Sequence, residues 1–428
     1  MLASVVLGAW LACASIEPAA QQPAASQQEL ALEVRRLVRQ LSSPQLAQRE
    51  AAEEALLKLG PGVLELLPAS QDPEVKVRLE RVRQRLLKAV AEAVLQPSRV
   101  SISGESVPLG KVLEAIAQQT GNKLVDWRER FGQQVTDPAL KLRLEDVPFW
   151  PALDEVLDQA GLAIYPFGTI DAIHLVARGQ RQLPRRGRAD YCGPFRVEAV
   201  AVTAQRDLRD PSGDLLRLTL EVAWEPRLRP IVVKQRMSDL KAADDSGQPL
   251  ALQDPLAELE VPIPPQGSAA NLLVSFRLPP RSTGSIARLE GKLWALVPGQ
   301  AEAFRFGDLA NVRGAQQRIA GATVTLDRVQ KSDQLWQVLI RLRLDEPGQA
   351  FESHRGWVFA NEAFLEGPDG QRLLPQSFEM TSRQPNEVGF VYNFAPELPL
   401  EKYVFVYRSP TRVLPLTVQY TLKDIRLP

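Results

Sequence analysis

Histidine and cysteine are almost missing from this chain, with two of each among 428 residues. Histidine is the usual acid or base near neutral pH. His174 sits inside an apolar, strand-like run at 172–176 and reads as a structural sheet residue, while His354 falls in a polar turn ahead of Trp357 and reads as a loop residue. Neither is spaced to a cysteine, a second histidine or a carboxylate as zinc requires, so no imidazole-held metal is expected. Net charge is missing too. Lys plus Arg and Asp plus Glu both number 51, which leaves no field to steer the molecule toward nucleic acid or an anionic membrane. The glycines form no phosphate-cradling G-x-x-x-x-G-K-[ST] loop, dinucleotide G-x-G-x-x-G turn or G-x-S-x-G elbow. Gly104-Glu105-Ser106 continues into Val107-Pro108 where the elbow needs glycine. The expectation is no catalytic residue, no cofactor and no nucleic-acid partner.

Long hydrophobic runs are confined to residues 1–14, apolar apart from Ser4 and followed by a Pro/Ala/Gln/Ser tract to Gln28. That is the outline of a secretory signal and linker, although no Lys or Arg precedes Arg35. The run is too short to span a bilayer comfortably, so no membrane-spanning helix is expected in the mature chain. Ala12-Cys13-Ala14 supplies a small-residue cleavage site. Lipidation of Cys13 is the lesser alternative, because Trp10 stands where such signals carry leucine. If Cys13 leaves with the signal, Cys192 has no intramolecular disulfide partner and stability must come from packing. The expected location is the periplasm or cell envelope.

What is present is a folded, modular composition: 45% apolar and 24% charged residues argue against pervasive disorder. At this length several small domains are expected. Residues 29–95 carry helical periodicity. Ser43 can cap one helix, Pro44 suits its first turn and Gly60 ends it; Asp72-Pro73-Glu74 opens another with Val75, Val77, Leu79, Val82, Leu86 and Leu87 available for burial. The strings Gln48-Arg49-Glu50-Ala51-Ala52 and Asp72-Pro73-Glu74-Val75-Lys76-Val77-Arg78 resemble a HEAT-like helical repeat, of which up to two units are visible.

Residues 100–125 repeat at 140–165. The two copies share Glu105/Glu145, Val107/Val147, Pro108/Pro148, Leu113/Leu153, Gln119/Gln159 and Gly121/Gly161. Each copy reads as strand, helix, strand, and both helices are expected to roof one sheet, completed by residues 172–176. The stretch from Val107-Pro108-Leu109 to Gly121, with Leu144-Glu145-Asp146-Val147-Pro148, Ala152-Leu153 and Gly161-Leu162, resembles the short domain at the N-terminus of secretins and TonB-dependent receptors. The resemblance covers residues 96–178. It implies a periplasmic docking module that meets another protein. No run of amphipathic transmembrane strands follows, so a transport role is not implied.

Arg178, Arg181, Arg185, Arg186 and Arg188 with Pro184 and Gly187 read as a solvated interdomain linker over 179–194, favoured over an anionic-partner contact. From Phe195 onward, alternating runs at 195–204, 215–224, 271–278, 287–297, 322–329, 335–344, 388–394, 403–407 and 416–422 predict strands. Residues 217–226 resemble 338–347, and 245–250 resemble 368–373. Two antiparallel, Ig-like β-sandwiches follow, at 195–310 and 311–428, with a single larger β-domain as the alternative. The expected fold class is therefore multidomain α+β: helical hairpins, a pseudo-repeated βαβ sheet domain, then the sandwiches. Asp207, Asp210, Asp214, Asp244 and Asp245 suit turns better than calcium. Trp224, Trp294 and Trp336 lie in strand patterns and read as core. Trp127 is either an exposed contact or a lid over the small core, and Trp357 is the remaining surface candidate.

These features predict an exported, non-enzymatic docking scaffold meeting envelope proteins through its helical and repeated segments. The alternatives are a cell-wall polysaccharide binder using the β-region, with Trp357 at its site, and a carboxylate-pair hydrolase, which no sequence spacing can exclude.

Overall fold

The computed structural model describes residues 24–68, 70–263, 267–299, 301–319, 321–332, 334–345 and 355–428. The expected signal with Cys13, and His354, lie outside the described residues. The chain divides after Leu87 into two compact units.

The first unit contains α1 (Ala24–Gln40), α2 (Leu46–Lys58), a 3₁₀ turn at Pro61–Glu65, and most of α3 (Pro73–Leu95). Asp72 caps α3 as its position predicts, its Oδ1 accepting from the amides of Glu74 and Val75. α2 begins two residues later than Pro44 suggests: Ser43 Oγ accepts from the Gln45 amide, and Gln45 is the cap. Val34, Leu37, Leu56, Leu79, Val82 and Leu86 are buried. Val77 is not; it is 59% exposed, because it lies on the opposite side of α3 from Val75, Leu79 and Val82. Glu53, buried on α2, is held by Arg78 at 3.3 Å and Arg81 at 3.2 Å, which supply the charge that burial requires.

The repeated segment opens the second unit, with β1 (Arg99–Pro108), α4 (Leu109–Thr120), β2 (Lys123–Asp126), β3 (Ala139–Pro148), α5 (Phe149–Ala160), β4 (Leu162–Tyr165) and β5 (Ala172–Ala177). The expected single sheet is instead two. β1 and β3 form an antiparallel ribbon, while β5 lies between β2, to which it is parallel, and β4, to which it is antiparallel. One hydrophobic cluster joins them: Val100, Leu140, Leu142 and Leu144 from the ribbon, Val112, Ile116, Leu153 and Leu157 from the helices, and Leu162, Ile173 and Leu175 from the three-stranded sheet. Both helices contact a strand of each sheet, so their apolar stripes are shared rather than laid on one surface.

The repeated residues have equivalent tasks. Gly121 and Gly161 end α4 and α5 with φ of 69° and 66°, the left-handed cap that glycine adopts without strain. Ser101 and Lys141, forty positions apart, each fall at a register irregularity of the ribbon. Gln119 accepts from the Ser101 amide at 2.8 Å and donates to its carbonyl at 3.1 Å, and Gln159 donates to the Lys141 carbonyl at 3.0 Å. The repeated glutamine thus satisfies backbone groups that the ladder leaves out.

The copies differ on one helical stripe. Gly110, Glu114 and Gln118 of α4 are exposed, whereas their counterparts Trp150, Asp154 and Asp158 of α5 are engaged. Trp150 and Asp154 are buried, and Trp150 Nε1 donates to the Pro194 carbonyl at 3.0 Å. α5 therefore has a second face, against which the following chain packs.

That chain contains β6 (Ala189–Cys192), β7 (Phe195–Gln205), β8 (Leu215–Trp224), β9 (Val232–Arg236), β10 (Lys241–Asp244), β11 (Glu258–Pro262), β12 (Ala269–Arg277) and β13 (Ser285–Pro298). It continues with β14 (Ala301–Phe306), β15 (Arg313–Ile319), β16 (Ala322–Ser332), β17 (Leu335–Leu344), β18 (Glu362–Glu366), β19 (Arg372–Leu373), β20 (Ser377–Arg383), β21 (Glu387–Phe394), β22 (Val404–Pro410) and β23 (Val413–Arg426). All nine expected strands are present. The architecture is α+β and multidomain, with most of its regular structure in antiparallel sheets.

The sheets run β12-β8-β7-β6, β10-β13-β9-β11, β15-β16-β17-β21-β20 and β14-β22-β18-β19. β8 and β17, the strands matched in sequence, occupy interior positions in their sheets. The last two sheets share one core containing Phe304, Leu326, Ile340, Phe390 and Tyr407. β23 does not stay with them. It pairs with β13 from Ser285↔Arg426 to Pro298↔Val413, on the side of β13 away from β9 and β10. Gly291 meets Tyr420 there; a Cβ at 291 would collide with the phenol ring, whose hydroxyl donates to Gln235 Oε1 at 2.9 Å. The β-region thus departs from the expected division at 310/311, because its final strand returns to the earlier sheet.

Candidate functional site

Alternation along β5 decides what the three-stranded sheet shows to solvent. Ile173 and Leu175 point into the core, so His174 lies on the far face, where Val125 of β2 and Tyr165 of β4 are its ladder neighbours. The chain leaving β2 folds back over this face. The Trp127 amide donates to the Leu175 carbonyl at 2.8 Å, and Arg128 chelates Asp126 through its Nε and Nη2, both within 3.0 Å. A 3₁₀ turn at Glu129–Phe131 follows and ends at Gly132. Gln133 secures the turn by accepting from the Ala177 amide at 2.8 Å.

This arrangement gathers five rings. Trp127 and His174 have centroids 3.7 Å apart, Trp127 lies 5.7 Å from Tyr165 and 6.3 Å from Phe131, and Tyr165 lies 4.8 Å from Phe131 and 5.8 Å from Phe167. The Arg130 guanidinium stands 4.3 Å from the Trp127 centroid. Phe131 is 45% exposed and Phe167 75%. Trp127 is half-buried and lies over the outer sheet face, so the expected lid over the small core does not form.

His174 is buried beneath these rings, and its Nδ1 has no hydrogen-bond partner among the described residues. Burial lowers its pKa; Asp171 opposes that shift, and Lys123 and Arg130 add to it. The imidazole is thus neutral at pH 7 and contributes a flat surface under Trp127. A cluster of this kind can grip apolar or aromatic side chains.

The arginine-rich stretch is not a solvated linker throughout, since part of it forms β6 and part docks on the second face of α5. Arg185 Nε donates to Asp154 at 2.7 Å, Arg196 Nε does so at 2.8 Å, and the Tyr191 hydroxyl at 2.8 Å. Asp158 accepts the amides of Arg185 and Arg186 and pairs with Arg178. Arg186 reaches Glu155 at 3.4 Å and Arg188 reaches Glu198 at 3.2 Å, while Arg181 is exposed. Burial works against the Arg196 charge, yet Asp154 and Glu198 raise its pKa overall; burial beside Asp154 likewise raises that of Tyr191, which remains a donor. Burial pushes the Cys192 thiol up to about 12, which removes it as a nucleophile. A shallow hollow of about 380 Å³ lies beside this network, bordered by Arg143, Val147, Pro151, Glu155, Arg186 and Tyr191.

A second buried carboxylate, Glu225, accepts from the Ser98 amide at 3.0 Å, Ser98 Oγ at 2.6 Å, Asn122 Nδ2 at 3.1 Å and Arg227 Nε at 2.6 Å. The turn aspartates serve backbone amides: Asp207 accepts from Arg209 and Asp210, Asp210 from Ser212, and Asp244 from Ser246 and Gln248. Trp357 is half-buried against the core of the last two sheets. Nearby in sequence, Phe359 contacts Phe378 at 6.0 Å, and both are partly exposed.

Sequence reasoning located Trp127 but missed Phe131, Tyr165 and Phe167 as its companions. The signal available was their position at or just after β2 and β4, the equivalent strands of the repeat, which flank β5. Among the described residues no helix is long and apolar enough to cross a membrane. No protein-family model matches the chain, and no curated protein matches it. Among solved structures, the type IV competence pilus secretin PilQ of V. cholerae aligns with 75% of this chain and 99% of that chain at 11% identity, with a TM-score of 0.15. A likeness of that size carries no argument about fold or function.

Proposed function

We infer that this chain is an exported, non-enzymatic bacterial envelope protein whose repeated segment docks another protein. Residues 96–178 are read as akin to the short domain of secretins and TonB-dependent receptors, and the two later sheet pairs as Ig-like β-sandwiches that carry it. The observation that supports docking is the ring cluster on the outer sheet face, where Phe131 and Phe167 are left to solvent beside Trp127. Large aromatic side chains kept exposed beside a sheet are what interface anchors look like.

The polysaccharide reading has less support, because Trp357 rests against a core instead of standing clear as a platform. A carboxylate-pair hydrolase has less still: the oxygens of Asp154 and Glu225 are occupied by donors from the fold itself. The test is a pull-down from envelope extract with the tagged full chain. A specific protein is expected, and Phe167→Ser with Phe131→Ser should lose it. Recovery that ignores these substitutions and depends on residues 195–428 would refute the reading.

A further inference from the structure

We propose that the aromatic face over β5 takes an acidic segment of a partner protein, a phenylalanine- or leucine-bearing stretch flanked by aspartate or glutamate. The proposal rests on the docking reading and adds the chemistry of the partner. Its apolar part is the ring chain Trp127–Tyr165–Phe167 with Phe131 against Tyr165, a continuous surface that an inserted side chain can contact on several edges.

The rim supplies the sign. Arg130 stands over Trp127, Lys123 and Arg130 both act on His174, and Lys123 and Arg229 both act on Asp171. Asp126 is neutralised by its chelate with Arg128. Lys123 and Arg130 act on His174 against Asp171, and Arg130 itself stands over the Trp127 ring, so positive charge is in excess around the buried imidazole in a molecule whose overall charge is zero. Asp171 is also engaged by the Thr169 side chain. An incoming carboxylate therefore meets Arg130 and Lys123, while a basic segment meets them as repulsion. The buried, neutral His174 cannot reverse that preference at neutral pH.

The test uses the full chain and two fluorescein-labelled peptides, Asp-Glu-Phe-Ser-Leu-Asp-Glu and its counterpart with lysine at every acidic position. Fluorescence anisotropy at low and moderate salt should show saturable binding of the acidic peptide that weakens as salt rises. Phe167→Ser and Arg130→Glu should each weaken it at least tenfold, with only a small fall in melting temperature, because both side chains are exposed and lose one ring contact each. Arg130→Gln should fall between wild type and Arg130→Glu. Equal affinity for the basic peptide, indifference to these substitutions, absence of saturable binding, or displacement by an N-acetylglucosamine oligomer would overturn the assignment. If the acidic peptide fails to bind while pull-down still depends on Phe167, the partner chemistry falls and docking stands. If neither depends on Phe167, both fall.

Discussion

Replacing Asp154 by alanine removes the acceptor at which three parts of the fold meet. Its carboxylate is fully buried and receives Arg185 Nε at 2.7 Å, Arg196 Nε at 2.8 Å and the Tyr191 hydroxyl at 2.8 Å. Hydrogen bonds to a charged group contribute about 1.5–3 kcal/mol each, so a plain sum would reach roughly 4.5–9 kcal/mol. That sum overshoots. Arg196 keeps Glu198 at 2.7 Å, and the Arg185 side chain, 16% exposed, can turn toward water. Breaking a buried pair by removing one partner costs about 3–5 kcal/mol, and this is the loss expected for Asp154→Ala. Asp154→Asn, which keeps the volume and one acceptor, should lose roughly 2 kcal/mol. Urea unfolding of the full chain should be followed by tryptophan fluorescence and by far-UV circular dichroism together, because a chain of several modules need not unfold in one step. Trp150, bonded to the Pro194 carbonyl beside this network, makes fluorescence the sensitive probe. A double-mutant cycle with Arg196→Ala should return a coupling of about 0.5–3 kcal/mol. Losses below about 1 kcal/mol for both single variants, with no coupling, would refute the view that this stripe of α5 holds the later chain in place.

Deleting residues 413–428 should loosen the earlier β-sheets and spare the later ones. β13 would lose its 14-residue partner, so amide exchange should accelerate across Ser285–Pro298 while Leu335–Leu344 stays protected; uniform acceleration would contradict the pairing. An isolated 96–178 fragment lacks Pro194, Tyr191 and Arg196, leaving Trp150 and Asp154 of α5 uncovered. It should be less stable than the same residues in the full chain by at least the ~2–3 kcal/mol that burying a large aromatic contributes, and equal hydrogen-exchange protection would sink this. Acid should act through His174, whose folded pKa is lowered by burial from an ordinary value of about 6.5. The unfolded chain then binds the extra proton first, so stability is full above the ordinary value and falls as pH drops below it toward the folded one. His174→Gln should flatten melting temperature between pH 7 and pH 5 relative to wild type, although Asp171 opposes the effect that Lys123 and Arg130 reinforce; parallel profiles would exclude it.

Local periodicity was enough to place the long strands, because Leu216, Leu218, Leu220 and Val222 in β8 alternate with neighbours that are mostly polar, as do Ile340 and Leu342 in β17 around Arg341 and Arg343. Aligned identities announced the repeat, including the shared Gly121 and Gly161, whose capping role the structure adds. The strands that escaped notice are short or lie at edges. β15 and β20 have weak alternation because little of either face is buried, and β9 hides four consecutive residues, including Lys234 and Gln235. The departures from the repeat at Trp150, Asp154 and Asp158 were visible as residues, but what they faced was not.

The sequence by itself determined the helical segments and the long strands, and which side of those strands is apolar, since these depend on neighbours two to four residues away. Tertiary structure alone decided that the repeat builds two sheets, that the arginine stretch closes onto α5, that β23 returns to β13, and that Trp127 meets Phe131, Tyr165, Phe167 and His174. Each of those outcomes is a choice between distant partners of similar local character. Backbone ladders and buried charges settle it only when the whole chain is assembled, because an unpaired edge or an unpartnered carboxylate is costly only once water has been excluded.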